Sequence, residues 1–217
     1  MFTVFFDLDG TLVDSKEGIT RCIQKTLEEL GADVPSADEL EWCIGPSLRH
    51  SFTLLLGEGA DIEGAVETYR EHYAEGGIYE ADIYDGLGDM LEELQAMGAR
   101  MYITTSKLEA AAREVAEHFG LTHYIDQVFG SQPNGEREDK TELLAFALAE
   151  TESDPAKAVM IGDRYYDIFG AKNNGVANIG VMWGFGAADE LREAEADMLA
   201  GHPEEVPEIV SDLLGVL

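Results

Sequence analysis

Two carboxylates stand one residue apart in FFDLDGT, residues 5–11, where an apolar run that begins at Met1 stops at Gly10 and Thr11. A run rich in aromatic and β-branched side chains and closed by glycine predicts a buried strand, and the two-residue period of a strand points Asp7 and Asp9 to the same side. Side by side, two carboxylates repel, and a bound divalent cation or a shared proton relieves that repulsion. Three later clusters add complementary groups: Thr105-Ser106-Lys107 after the apolar stretch 100–104, Lys140 at the start of a helical pattern, and Gly162-Asp163-Arg164-Tyr165-Tyr166-Asp167 after the apolar stretch 158–161. Asp163 and Asp167, four apart behind a glycine, belong at a strand-to-helix turn. Four acids converging on one edge need a hard cation, and Mg²⁺ held by a few carboxylates and retained waters matches best.

The elements that must position these groups follow from apolar periodicity. Ile19, Cys22, Ile23, Leu27 and Leu30 make one helical face, Gly31 is a stop, and Ser36 with Glu39 forms a capping box. Pro46 suits the first turn of a helix carrying Leu48, Phe52, Leu55 and Leu56, and Ala65, Val66, Tyr69 and Tyr73 continue the spacing. From 87 onward helices and strands alternate: helix 87–97, strand 100–104, helix 108–119, strand 124–129, helix 140–150, strand 158–161, helix 166–173, strand 177–182 and a helical tail. Such alternation predicts an α/β fold, a Rossmann-like, doubly wound parallel sheet covered on both faces. The first strand precedes the helical stretch, so the expected division is a core of 1–15 and 82–217 with an inserted α-helical cap, 16–81. Ligands bind at the carboxyl edge of open α/β sheets, which puts the cap over Asp7 and Asp9 as a lid.

Composition bounds the partners. The 217 residues include 44 acidic and 14 basic side chains, a formal charge of −30, and 45% are hydrophobic. A chain this acidic repels nucleic-acid backbones and anionic lipid surfaces, so neither is an expected partner. No stretch reaches the roughly 20 apolar residues of a membrane span and no secretory leader is evident, so the expected location is cytoplasmic, as a monomer or homodimer. Cys22 and Cys43 sit in helical apolar patterns and are expected to be buried, reduced thiols.

DLDGT, a strand ending in Thr-Ser, a lone Lys and GDRYYD, in that order, resemble the four motifs of the haloacid dehalogenase superfamily in its Mg²⁺-dependent phosphatase branch. The likeness spans nearly the whole chain, and the IGPSLR, MIGDR and WGFG stretches are similar to those of phosphoglycolate phosphatases and bacterial 5′-nucleotidases. It implies a small-molecule phosphate monoester as substrate, Asp7 as nucleophile forming an aspartyl-phosphate, and Asp9 as the acid and base, which requires a protonated Asp9 when substrate arrives. By the same resemblance, Gly10, Thr11, Thr105, Ser106 and Lys140 hold the phosphate. Asp7, the Asp9 backbone carbonyl, Asp163 and Asp167 hold Mg²⁺. Thr104 rivals Thr105, because a one-residue shift exchanges the hydroxyl that faces the site, and Lys107 rivals Lys140.

Arg49, one basic residue in an acidic cap, is the expected specificity residue, its alternative being an ion pair within the helices. Dehalogenation needs neither a metal nor a second acid and is disfavoured by Asp9. A 5′-nucleotidase remains the chief alternative to a phosphoglycolate phosphatase, followed by a phosphosugar mutase and, last, a binding module without catalysis. The charge alone generates a prediction: self-repulsion is relieved by screening, so the melting temperature rises between low and molar salt, and an indifferent melting temperature would show that the surface acids are merely solvated.

Overall fold

The computed structural model describes residues 2–216. The chain opens with β1 (Phe2–Phe6), forms a two-residue strand β2 (Val13–Asp14), passes through α1 (Lys16–Glu29), α2 (Leu48–Leu56) and α3 (Ile62–Glu75), and returns in β3 (Asp82–Ile83). The alternating part follows: α4 (Leu87–Ala96), β4 (Ala99–Leu108), α5 (Glu109–His118), β5 (Gln127–Ser131), α6 (Lys140–Glu150), β6 (Ala158–Gly162), α7 (Tyr165–Asn173), β7 (Ala177–Val181), α8 (Ala188–Glu193), β8 (Met198–Ala200) and α9 (Val206–Leu214). Six strands form one sheet in the order β5-β4-β1-β6-β7-β8, and every neighbouring pair is parallel. The fold is a Rossmann-like α/β fold, with β1 at the centre and the ends of β4 and β6 on either side of Asp7.

Strand alternation builds two apolar layers. Phe5, Tyr102 and Met160 face α6 and α7, while Val4, Phe6, Ile103 and Ile161 join a larger cluster on the opposite face. That cluster continues without a break into Ile19, Ile23, Phe52, Val66 and Tyr73 of the helical segment. α3 packs against both α1 and α2. β2 and β3 pair antiparallel, Val13 with Ile83 and Asp14 with Asp82, where the chain leaves the sheet and comes back. We propose this ribbon as the joint between a core of 1–15 and 82–217 and a cap of 16–81.

Several boundaries differ from the periodicity. β4 continues to Leu108 instead of ending at Thr104, with a register shift against β5 between Thr105 and Leu108. β8 interrupts the expected helical tail; its approach is fixed by Asp197, whose carboxylate accepts from the backbone and side-chain amides of Asn178 at 2.9 and 2.8 Å. Pro46 lies outside α2, which Ser47 caps by accepting from the His50 amide. The Ser36–Glu39 box is present, but the turn behind it, Asp38–Cys43, is a 3₁₀-helix.

Both cysteines are free and buried, and burial pushes the Cys43 thiol up to about 12. Among the described residues, no helix is long and apolar enough to cross a membrane. Phe5 is fully buried and stacks on Tyr102 at 5.6 Å. Phe5→Ala is therefore expected to cost about 3–5 kcal/mol, read from the urea denaturation midpoint.

Candidate active site

Asp7 follows directly from the central strand, and its backbone amide donates to the Ile161 carbonyl at 2.9 Å, so the ladder to β6 extends one residue into the site. The chain then folds tightly: the amides of Thr11, Leu12 and Val13 all point to the Leu8 carbonyl, and Gly10 adopts φ +84°. A Cβ at Gly10 would lie 2.3 Å from Asp163 Oδ2. Glycine is needed there on both counts, for the left-handed backbone and for the approach of Asp163.

Asp163 and Asp167 come from the β6–α7 turn, and with Asp7 they bring one carboxylate oxygen each within 4.8 Å of one another, all three side chains buried. Asp163 is held from three directions. The Phe185 amide donates to its Oδ2 at 2.8 Å, and the Thr11 hydroxyl reaches its Oδ1 at 3.4 Å. Gly184 and Gly186 press so close to it that a Cβ at either would overlap Asp163 atoms. The Trp183 indole donates to the Thr11 carbonyl at 3.1 Å and ties the same loop to the turn after β1.

Lys140, at the first position of α6, buries its ammonium between Asp7 Oδ1 at 2.8 Å and Asp167 Oδ1 at 2.7 Å and donates to the Thr104 carbonyl at 3.1 Å. Asp139 caps that helix by accepting from the Thr141 and Glu142 amides. Burial opposes the charge of Lys140, but the Asp167 and Asp7 carboxylates outweigh it, and the ammonium is held well above its ordinary range. Burial pushes Asp7 up to about 6, Lys140 opposing and Asp167 adding to the shift. Asp163 is pushed well above the usual carboxylate range, by burial first and then by the charges of Asp7 and Asp167.

Three buried acids against one ammonium leave negative charge uncompensated. Asp7 Oδ1 and Asp167 Oδ1 lie within ion-pair distance of Lys140, yet no hydrogen-bond donor is aligned on either. An all-oxygen donor set with such atoms suits a hard divalent cation such as Mg²⁺.

The remaining residues fall on the cavity side. Thr104 turns its hydroxyl to the Met160 sulfur at 3.3 Å, whereas Thr105 lines a cavity of about 240 Å³ together with Asp7, Asp9, Ser106 and Lys107. Ser106 still lies within β4, because α5 begins only at Glu109, and its hydroxyl donates to the Glu138 carbonyl at 3.3 Å. Gly10 and Thr11 do not line the cavity; they pack on Asp163.

Lys107 and Lys140 are not alternatives. Lys107 donates to both oxygens of Asp9, at 3.0 and 2.8 Å, and lies 4.5 Å from the centre of the Tyr73 ring. Both Asp9 oxygens are thus engaged by Lys107, whereas the role of acid expected of Asp9 needs one of them free. The adjacency of Lys107 to Thr-Ser was the available signal.

Arg49 departs from its expected role. Its guanidinium is shared between Glu63 at 2.6 and 2.8 Å, Glu138 of the sheet-bearing part, and the Pro133 carbonyl at 3.0 Å. Two carboxylates occupy its donors, and it does not line the cavity. Arg70, which stands in no recognisable motif, lines it instead.

A parallel sheet presenting three acids, a lysine and a threonine at one edge beneath inserted helices defines a class, and comparison with known proteins agrees. The profile of haloacid dehalogenase-like hydrolases matches residues 4–181. A 5′-nucleotidase of Pseudomonas aeruginosa is 43% identical over 190 residues, 87% of this chain and 86% of that one. The tyrosine-protein kinase PtkA of Mycobacterium tuberculosis is 35% identical over 98% of this chain and 72% of its own length. A phosphoglycolate phosphatase of Aquifex aeolicus is 30% identical over 85% of this chain and 86% of its own. The crystal structure of a predicted phosphatase from Clostridium acetobutylicum superposes with a TM-score of 0.93 and 32% identity over 98% of this chain and 99% of that one. The chain belongs to the haloacid dehalogenase-like hydrolases and is an enzyme of their phosphatase branch.

Lys140→Met removes the ammonium and leaves buried acids facing one another. Loss of one partner from a buried ion pair costs roughly 3–5 kcal/mol. Urea denaturation in the presence of a chelator is expected to register a loss of that size.

Proposed function

We propose that the chain is a Mg²⁺-dependent phosphatase that hydrolyses a small-molecule phosphate monoester through an aspartyl-phosphate on Asp7. The observation that carries this reading is the position of Asp7: at the end of the central strand, paired with Lys140, clustered with Asp163 and Asp167, and open to the cavity. Asp7, Asp163 and Asp167 would hold Mg²⁺, which supplies charge neutralisation for the phosphoryl oxygens when bound.

Lys140 keeps the Asp7 carboxylate oriented and offsets charge when a dianionic ester arrives. Thr105 and Ser106, on the cavity wall, orient the phosphoryl oxygens. An incoming phosphate competes for the Lys107 ammonium, and Asp9, relieved of its cation and set beside negative charge, takes up a proton. An Asp7 oxygen then attacks phosphorus while the bond to the ester oxygen breaks, and Asp9 gives that oxygen its proton. In the second half, Asp9 takes a proton from water as the water oxygen attacks the same phosphorus. Asp7 leaves as a carboxylate and inorganic phosphate is released.

The cavity of about 240 Å³ lies below the roughly 300–1,000 Å³ usual for drug-sized ligands, which favours a short ester of the phosphoglycolate type. The 5′-nucleotidase reading draws on the Pseudomonas relative and requires the inserted helices to move outward to admit a nucleoside. Tyr69 and Tyr73 already stack on one another at 5.6 Å and are buried, so neither ring is free on both faces for a base.

Release of phosphate from p-nitrophenyl phosphate should require Mg²⁺ and fall by about a thousandfold or more in Asp7→Asn. Full activity in that variant would refute the covalent route. A panel of phosphoglycolate, nucleoside monophosphates and hexose phosphates is expected to rank phosphoglycolate first by kcat/KM; a nucleotide in first place selects the alternative, and transfer to a second sugar oxygen would mark a mutase.

A further inference from the structure

Two arginines face the region where the inserted helices meet the sheet, and their surroundings differ. Arg49 is satisfied by Glu63, Glu138 and the Pro133 carbonyl. Arg70, on α3, makes no ion pair among the described residues, and its Nε is buried with no hydrogen-bond partner. Leaving a buried donor unpaired is costly, so such a group in a binding cavity calls for a ligand. The acids near Arg70, Glu63, Glu67 and Glu138, do not supply one, for none forms an ion pair with it. Glu63 and Glu138 are both bound to Arg49, which also lies close enough to oppose the charge on Arg70.

The cavity wall carries Asp7, Asp9 and Lys107 from the sheet edge, Arg70 from α3, the acids Glu114 and Glu138, and the apolar side chains of Ile19, Leu48 and Ile78. A planar guanidinium matches a carboxylate through two parallel N–H···O bonds. A second phosphate, with nearly twice the charge, calls for more than one cation. The small volume restricts the ligand to a short chain between its two charged ends.

We propose that Arg70 forms an anion subsite that selects phosphate monoesters bearing a carboxylate on a short chain. This rests on the phosphatase reading of the Asp7 end of the same cavity. Arg70, rather than Arg49, is then the specificity-determining arginine of the inserted helices.

The test compares two esters of equal length, 2-phosphoglycolate and 2-hydroxyethyl phosphate, in the wild type, Arg70→Met and Arg70→Lys. The wild type is expected to prefer the carboxylate-bearing ester by about 10- to 100-fold in kcat/KM, with the ratio near one in Arg70→Met and partly restored in Arg70→Lys. A ratio within one variant is insensitive to the fraction of protein folded. Calorimetric titration with the non-hydrolysable pair 3-phosphonopropionate and propylphosphonate, in Mg²⁺, is expected to give the same pattern in Kd. A wild-type ratio near one in both measurements, or a preference that survives in Arg70→Met, overturns the proposal. If neither ester is hydrolysed but the calorimetric preference exists and disappears in Arg70→Met, the phosphatase reading fails and the subsite stands.

Discussion

One buried ammonium constrains the rest of this structure. Lys140 lies between Asp7 and Asp167 and under the Thr104 carbonyl, touching residues delivered by β1, β4 and the β6–α7 turn. It sits at a helix N-terminus, where the macrodipole disfavours a cation. That position is tolerable because the Asp7 and Asp167 carboxylates converge on it and because Asp139 caps the helix separately. Buried ion pairs seldom add much net stability, since desolvation consumes most of the Coulombic gain. Their effect here is positional: three acids that would repel one another are fixed at an edge of the sheet.

The same convergence explains the glycines. Gly10, Gly162, Gly184 and Gly186 are the places where a Cβ would strike Asp163 or Asp167. The WGFG stretch is a clamp on Asp163: the Phe185 amide binds its carboxylate while the flanking glycines let the loop close. Nothing local in that stretch identifies its target. The partner lies 22 residues away in sequence and meets it only through the sheet.

What was legible in the sequence was whatever rests on local periodicity. Apolar runs locate β1, β6 and β7 within a residue or two, and helical spacing locates α1 and α6, because those patterns are set by which face is buried. The end of β4 was not legible, since its continuation through Ser106 and Lys107 depends on pairing with β5. Neither was β8, three residues long and anchored by Asn178 across the sheet. The choice between Arg49 and Arg70 was invisible for a similar reason. Each is an isolated cation in an acidic segment, and only the placement of Glu63 and Glu138 decides which guanidinium is already paired.

The net charge of −30 sets a problem that the site solves by geometry. Surface acids are screened within about 8 Å at physiological ionic strength, whereas charges inside a buried cavity are screened far less. Lys107 and Arg70, which share the cavity wall with Asp7, Asp9, Glu114 and Glu138, therefore act at short range and outside the reach of that screening, provided the helices stay seated over the sheet. Arg164 links the two conditions. Its guanidinium donates to the Ile44 carbonyl and to the Trp42 carbonyl at 3.4 Å, beside Gly45, which lacks the Cβ that would strike it. The residue before it is Asp163. The contact to the 42–45 segment and the acid of the carboxylate cluster are thus carried by adjacent residues of one turn. The cavity wall and the acid cluster are consequently built on the same sheet edge, with Asp7 belonging to both.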